Sequence, residues 1–319
     1  MGELRRDPIV DRLVIVAKER GRRPKEFATP RSRERVERCP FCPGNEWMTP
    51  PAHLVYLKGE EGVVKVKGGG RVKGWLVRCF DNLYPALKPE EHGHHEVIVE
   101  SPIHDEHIQR ARLEQVRLVV EAYIDRVREL YRKDYVEYVL IFRNYGLEAG
   151  SSLSHAHSQL IATPLIPRAV REEVEAFEDG CPFCRLMEDE RRGGRVFYES
   201  EGFVALCPYA SRAPFEFWIL PKRHSPSITD MSGEEVDGFA KTLRETLGAM
   251  SDLLGDPPYN YWIHIAPKGL DFHWHVEVLP KTSVWAGFEL GSGICINAMP
   301  PESASRLMRE AVLRARRTS

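Results

Sequence analysis

Two histidines and a glutamine recur at every second position in the segment from His155 to Gln159, which reads His-Ala-His-Ser-Gln. The apolar residues that follow this segment predict a β-strand. Because every second side chain of a strand points to the same face, His155, His157 and Gln159 would lie on one face about 6–7 Å apart. Such a group could bind a metal ion or transfer a phosphoryl group. An isolated pair of histidines is also common on a polar strand face, so the rest of the chain decides between these interpretations.

Two Cys-Pro-Phe-Cys segments supply further metal ligands. Seven cysteines, four of them in these segments, fit metal binding in a reducing compartment better than a disulfide framework. Histidines follow both segments at similar spacings, which favours metal binding over the alternative of buried cysteines and surface histidines. The sequence therefore predicts two closed tetrahedral zinc sites, the first from Cys39, Cys42, His104 and His155 and the second from Cys181, Cys184, His224 and His273.

If His155 is a metal ligand, His157 stays free two residues away. A neutral imidazole needs no separate base and forms a labile bond to phosphorus, so His157 is the predicted nucleophile. Gln159 could donate an amide hydrogen to a phosphoryl oxygen as charge develops there. Small residues just upstream would let backbone amides approach a diphosphate, unless they form an ordinary loop: Gly150, Ser151 and Ser152.

A second histidine pair, His273 and His275, is followed by Glu277 at the position that Gln159 occupies in the first. A carboxylate there would repel a transferring phosphate. We therefore expect the first half of the chain to be the active one, and the second half to be structural or to complete the substrate site.

The elements that position these residues recur along the chain, which predicts a duplicated fold. In each half a Cys-x-x-Cys knuckle and two strands precede a histidine, a helix, a further strand and a His-x-His pair. Helices are predicted at 106–133 and 233–254, the second introduced by Ser232 and Glu235 in a capping-box pattern. We expect an α+β protein, a duplicated histidine-triad-like fold whose two antiparallel-sheet halves carry packed helices and form one larger sheet. The expected domains are residues 1–165 and 166–319.

The composition fits a soluble globular protein, with 42% hydrophobic and 29% charged residues among 319. No run approaches the roughly 18–20 apolar residues of a membrane span, and the N-terminus leads into charged residues. We expect a cytoplasmic protein without a membrane partner. A net charge of −2 argues against nucleic acid as a partner, and thus against the alternative of a zinc-knuckle nucleic-acid-binding protein.

With these residues assembled, the chain resembles the galactose-1-phosphate uridylyltransferases of the histidine-triad superfamily along nearly its whole length. The segments that carry the resemblance are Arg6–Ile9, 20–24, Cys39–Cys42, Asp81–Leu87, Ser101–His104, Asn144 with Gly146, His155–Gln159, Pro214–Glu216, Pro221–His224 and Gly287–Glu289.

The resemblance implies a homodimeric enzyme that moves UMP from UDP-glucose to galactose 1-phosphate by way of a uridylyl group on His157. It implies that Gln159 binds the phosphate, and that zinc fills the first metal site and zinc or iron the second. It also implies nucleotide and diphosphate contacts by Arg20, Arg23, Asn82, Asn144 and Ser152, and hexose contacts from the partner subunit by Phe288 and Glu289.

The sequence departs from the family pattern in two places. Ala156 replaces the usual proline between the histidines and keeps the alternation. Leu83 follows Asn82 where the family has aspartate, which removes a polar contact and leaves the selection of base or ribose open. Segments 256–261 and 287–301 are at least as similar to the ADP-glucose phosphorylases, which use the same histidine but pass AMP to inorganic phosphate. An ADP-sugar or dinucleoside-polyphosphate phosphorylase is therefore the alternative.

Overall fold

The computed structural model describes residues 3–18, 38–177 and 180–318. Arg20 and Arg23, which were predicted to contact the nucleotide, lie outside the described residues. The strands are β1 (Glu3–Arg6), β2 (Leu13–Val16), β3 (Ala52–Lys58), β4 (Val63–Gly70), β5 (Trp75–Asp81), β6 (His94–Val99), β7 (Tyr138–Tyr145), β8 (His157–Thr163), β9 (Val196–Glu199), β10 (Phe203–Leu206), β11 (Phe217–Pro221), β12 (Tyr259–His264), β13 (His275–Pro280) and β14 (Cys295–Asn297). The α-helices are α1 (Leu113–Tyr131), α2 (Arg168–Glu175), α3 (Pro182–Arg192), α4 (Gly233–Leu254), α5 (Gly287–Ser292) and α6 (Pro301–Thr318).

Within the described residues, eleven strands form one sheet in the order β4-β3-β5-β6-β8-β7-β12-β13-β11-β10-β9, and all neighbours run antiparallel. From the central pair β7 and β12, the order outward is β8, β6, β5 on one side and β13, β11, β10 on the other. The predicted α+β fold, with two antiparallel halves in one larger sheet, is confirmed. The predicted boundary at 165/166 falls between β8 and α2 and stays a prediction.

The sheet is covered on both faces near its centre. Helices α1 and α4 pack on one face, where Ile98, Ile141 and Leu160 join the largest apolar cluster. On the opposite face Val97 and Val99 pack against Phe41 from the first Cys-x-x-Cys segment. Strand β6 is therefore buried along its whole length, as expected for a strand between two packed layers.

The predicted first residue is right for one of the two long helices and wrong for the other. Helix α4 matches the predicted 233–254, because the Ser232 hydroxyl accepts from the Glu235 amide and the Glu235 carboxylate accepts from the Ser232 amide. Helix α1 begins at Leu113, seven residues later than predicted. The preceding residues form turns that end at Arg112, whose ψ of 145° is extended.

A smaller sheet joins the two ends of the chain. Its order is β1-β2-β14, with β14 parallel to β2. Arg5 in β1 forms an ion pair with Glu302 at the start of α6 at 3.0 Å. No helix in the described residues combines the length and apolarity that a membrane span needs.

Candidate active site and metal centres

The first predicted metal set is assembled between the knuckle before β3, the turn after β6 and the start of β8. The His155 Nδ1 atom lies 3.6 Å from the Sγ atoms of both Cys39 and Cys42, and the His104 Nδ1 atom lies 3.3 Å from Cys42 Sγ. With bonds of about 2.3 Å to sulfur and 2.0–2.1 Å to nitrogen, a tetrahedral zinc ion holds such atoms roughly 3.6 Å apart. These four residues could therefore hold a tetrahedral metal ion.

The ring orientation of both histidines suits a metal ligand. The His155 Nε2 atom donates to the Ser101 carbonyl oxygen at 2.8 Å, and the His104 Nε2 atom lies 2.8 Å from the Ser154 hydroxyl. The Nδ1 atom of His155 then presents its lone pair to the site, and that of His104 does the same when its Nε2 atom donates to Ser154. Burial lowers the pKa of His155 to about 4, which keeps its ring neutral.

The structure also brings together the second predicted set: Cys181, Cys184, His224 and His273. The His273 Nδ1 atom lies 3.4 Å from Cys181 Sγ and 3.5 Å from Cys184 Sγ, and the His224 Nδ1 atom lies 3.9 Å from Cys184 Sγ. The His273 Nε2 atom donates to the Pro221 carbonyl oxygen at 2.8 Å, as His155 does to Ser101. This set is also suited to a tetrahedral ion.

His157 opens strand β8, so the prediction that His155 belongs to the same strand is wrong. The chain before His157 is instead held by backbone bonds, from the Ala156 amide to the His104 carbonyl and from the Glu100 amide to the Ala156 carbonyl. The His157 Nδ1 atom donates to the His155 carbonyl oxygen at 2.8 Å, which leaves the lone pair on Nε2. Burial lowers the pKa of His157, whose side chain is 7% exposed, so the neutral imidazole is favoured.

Gln159 lies two residues further along β8, on the face of the strand that carries His157. Its Oε1 atom is 2.8 Å from His95 Nε2 and 3.3 Å from Asn82 Nδ2. The Asn82 Oδ1 atom accepts from the Tyr84 amide at 2.9 Å, which fixes the orientation of the asparagine. The structure thus connects two predicted site residues, Gln159 and Asn82, through direct contact.

The predicted diphosphate loop follows β7. Asn144 accepts from the Asn260 side chain at 2.8 Å, and Asn260 also donates to the Ala149 carbonyl at 2.8 Å. Gly150 has a φ of +87°, a left-handed conformation that favours glycine. The two serines of the predicted loop have different surroundings. The Ser151 hydroxyl donates to the Leu153 carbonyl oxygen at 2.7 Å, whereas Ser152 is exposed.

Phe288 and Glu289 lie in a different part of the molecule, on α5 beside the small sheet. They line a groove with Ile15 and Ile296, and Phe288 is 49% exposed. Within the described residues, no hydrogen bond, ion pair or ring contact joins them to His157 or Gln159. The structure therefore shows no direct contact between the predicted hexose residues and the predicted nucleophile within the described part of one chain.

A buried polar network supports β8 from the face opposite His157, and sequence reasoning did not identify it. Glu100 accepts from the Ser158 hydroxyl and from Arg143 Nε, the latter at 2.9 Å. The Tyr123 hydroxyl lies 2.5 Å from the Ser158 hydroxyl. All four side chains are buried, so the ion pair is held in the interior directly behind the strand that begins with His157.

The equivalent region of the second half is enclosed. His275 is 0% exposed, its Nδ1 atom is 3.0 Å from the His273 carbonyl oxygen, and its ring lies 4.4 Å from that of Phe183. Glu277 is buried and accepts from the guanidinium of Arg212, which is partly buried, and further charged side chains lie beside this pair. The second His-x-His pair therefore differs from the first in burial as well as in charge, and the assignment of activity to the first half stays a prediction.

A family model described as a domain of unknown function, DUF4921, matches residues 109–319. Two curated relatives match nearly the whole chain. ADP-glucose phosphorylase of Arabidopsis thaliana is 32% identical over 98% of this chain and 93% of its own length. Galactose-1-phosphate uridylyltransferase of Thermotoga maritima is 34% identical over 97% of this chain and 98% of its own length.

Two solved structures are similar to this chain along nearly its whole length. The crystal structure of ADP-glucose phosphorylase from Arabidopsis thaliana with bound ADP-glucose superimposes with a TM-score of 0.82, at 31% identity over 97% of this chain and 99% of that chain. A structure of uridylyltransferase superimposes with a TM-score of 0.74, at 26% identity over 99% of both chains.

Proposed function

The chain belongs to the family of galactose-1-phosphate uridylyltransferases and ADP-glucose phosphorylases, and from that premise we propose that His157 accepts a nucleotidyl group from a nucleotide sugar. The lone pair on His157 Nε2 attacks the α-phosphorus, and the bond from that phosphorus to the bridging oxygen breaks. The electron pair leaves with the hexose 1-phosphate. An acceptor phosphate oxygen then attacks the same phosphorus and releases the histidine.

The observation that carries this proposal is the hydrogen bond from His157 Nδ1 to the His155 carbonyl oxygen. As Nε2 bonds to phosphorus the ring becomes cationic, and a hydrogen bond to a charged group is worth roughly 1.5–3 kcal/mol. Gln159 lies on the same strand face and can donate to a phosphoryl oxygen as negative charge develops.

The metal sites have a supporting role in the proposal. We expect zinc at the first set and zinc or iron at the second. A metal with four protein ligands has no open position, so when bound it supplies rigidity and not a reacting group. The first ion would fix His155 through Nδ1, and with it the carbonyl group that orients His157.

The substrate pair that we propose first is UDP-glucose and galactose 1-phosphate, with UMP as the transferred group. A specific second candidate is ADP-glucose with inorganic phosphate, favoured by the similarity to the ADP-glucose phosphorylase. Product analysis with each donor and each acceptor distinguishes the two.

The experiment that tests the transfer uses UDP-glucose and ADP-glucose labelled at the α-phosphate. We expect one of them to leave acid-labile label on the protein, and the His157→Gln variant to lose that label. His275→Gln is the matched control because His275 has the same backbone bond in the other half. A wild-type protein that takes no label from either donor, or a labelled His157→Gln variant, would refute the proposal.

We further propose that the protein is cytoplasmic and forms a homodimer. In this dimer the hexose site is completed across subunits, since Phe288 and Glu289 make no direct contact with His157 within the described part of one chain. A mixture of the inactive His157→Gln and Glu289→Ala variants would then regain activity on subunit exchange. No recovery in dimers shown to have exchanged would contradict the shared site.

A further inference from the structure

His95 has a ring tautomer that the structure defines. The Ala86 amide N–H donates to His95 Nδ1 at 3.0 Å, so Nδ1 must be the acceptor nitrogen. The ring proton is then on Nε2, which lies 2.8 Å from Gln159 Oε1. The histidine side chain is 9% exposed, and burial lowers its pKa, which favours the neutral ring with its single proton.

Gln159 therefore faces two donors at one end of its amide. The Asn82 amide nitrogen lies 3.2 Å from His95 Nε2 and 3.3 Å from Gln159 Oε1, and its orientation is fixed by the bond from the Tyr84 amide to Asn82 Oδ1. Because His95 Nε2 carries the ring proton and cannot accept, the Asn82 amide donates to Gln159 Oε1. A reversed Gln159 amide would place its NH₂ group against both donors. The oxygen is thus held toward His95, and the NH₂ group must point away from it.

The register of the sheet brings this pair together. His95 in β6 lies directly opposite Ile161 in β8, so Gln159 is its diagonal neighbour on the same face. His157 lies on that face as well, two residues before Gln159. His95 in β6 therefore sets the orientation of the Gln159 amide, and it does so on the sheet face that carries the proposed nucleophile, His157.

We propose that His95 is a positioning residue, which holds the Gln159 amide so that its NH₂ group faces the phosphoryl group transferred to His157. The inference rests on the proposed function and adds a residue to it. His95 itself does not contact the reacting atoms. It acts through Gln159 by donating one hydrogen bond to the amide oxygen.

The test compares His95→Leu, which removes the donor, with His95→Gln, whose side-chain nitrogen can replace Nε2 as a donor. We expect kcat of the Leu variant to fall about 10- to 100-fold with little change in KM, since a misplaced donor acts mainly on the transition state. The Gln variant should stay within about fivefold of wild type, in keeping with a role that needs only the donated hydrogen. Circular dichroism and thermal unfolding check that both variants are folded.

A double-mutant cycle separates this role from a structural one. In a Gln159→Ala background, His95→Leu should cost less than about twofold in kcat, because the group it positions has been removed. Equal losses of kcat in both backgrounds, or a folded His95→Leu variant with wild-type kcat, would overturn the role of His95 and leave the proposed function standing. A wild-type protein that transfers no nucleotidyl group from any labelled donor would overturn the proposed function and this inference together.

A second readout does not depend on turnover. In ¹⁵N-labelled protein, the His95 ring should give the pattern of a neutral Nε2-protonated imidazole at neutral pH, with the signals assigned by their loss in His95→Gln. An Nδ1-protonated ring would remove the hydrogen bond that His95 donates to Gln159 and would overturn the proposal.

Discussion

The carbonyl oxygen of His155 lies 2.8 Å from the Nδ1 atom of His157, so one histidine provides both a metal-ligating ring and the acceptor that orients the other. The His155 ring is turned toward Cys39 and Cys42 by its Nε2 bond to the Ser101 carbonyl. Any shift of His155 therefore moves the acceptor for His157. This relationship links the first metal set to the proposed chemistry.

We expect Cys39→Ser to lose transfer activity by about 100-fold or more, because a misplacement of about 1 Å at a reacting group can cost that much. Cys181→Ser is the matched control in the second set. It should lower the melting temperature while kcat per folded protein stays within about fivefold, if that set acts on stability and not on positioning. Metal content per chain, melting temperature and the rate of label formation are measured for both. Full transfer activity in metal-depleted Cys39→Ser would contradict the link.

The glycines before the His-x-His segment give a prediction about stability. Gly150 has a φ of +87° with no atom closer than 3.9 Å to an added Cβ, so Gly150→Ala should cost about 1–2 kcal/mol through backbone strain alone. Gly146→Ala should cost more, because its φ is +85° and its Cβ would lie 2.9 Å from Pro258. Gly202, which has open space and no positive φ, is the control and should change by less than about 0.5 kcal/mol. Urea unfolding measures all three, and equal losses at Gly150 and Gly202 would contradict the prediction.

Much of the fold and of both metal sets could be predicted because the signals are local or repeated. The knuckle and histidine spacings predicted which residues meet in each set, and the Ser232 capping box predicted where α4 begins. The start of α1 could not be predicted in the same way. Side chains and backbone groups before Arg112 make turn bonds that the helical periodicity does not reveal.

Other parts of the site depend on register and on burial, which the sequence does not display. His95 reaches Gln159 only because β6 and β8 pair with His95 opposite Ile161. Glu100 and Arg143 lie in ordinary strand segments, and their ion pair behind β8 appears only when the sheet is assembled. Residues of another subunit that complete a site could not be predicted from the sequence either, because their position depends on how the subunits assemble.

Breaking the buried Arg143–Glu100 pair by removing one partner should cost more stability than breaking an exposed pair. Arg143→Met leaves the Glu100 carboxylate buried and uncompensated, and breaking such a pair costs about 3–5 kcal/mol. Arg168→Met, which removes an exposed pair with Glu172, is the control and should have no measurable effect. Chemical denaturation measures both, and an Arg143→Met/Glu100→Gln double variant should recover part of the loss. A single Arg143→Met variant as stable as the control would contradict the prediction.

The second His-x-His pair provides a test of whether charge alone keeps it inactive. Glu277→Gln gives it the same His-x-His-x-Gln pattern as the first half, and Arg212 still pairs with Glu216. If electrostatic repulsion were the whole reason, this change would allow His275 to accept a nucleotidyl group. We expect no label in a His157→Gln/Glu277→Gln double variant, because His275 is fully buried and its ring is covered by that of Phe183. Acid-labile label on the double variant, mapped to His275 by mass spectrometry of the peptide, would show that repulsion by Glu277 and not burial separates the two halves.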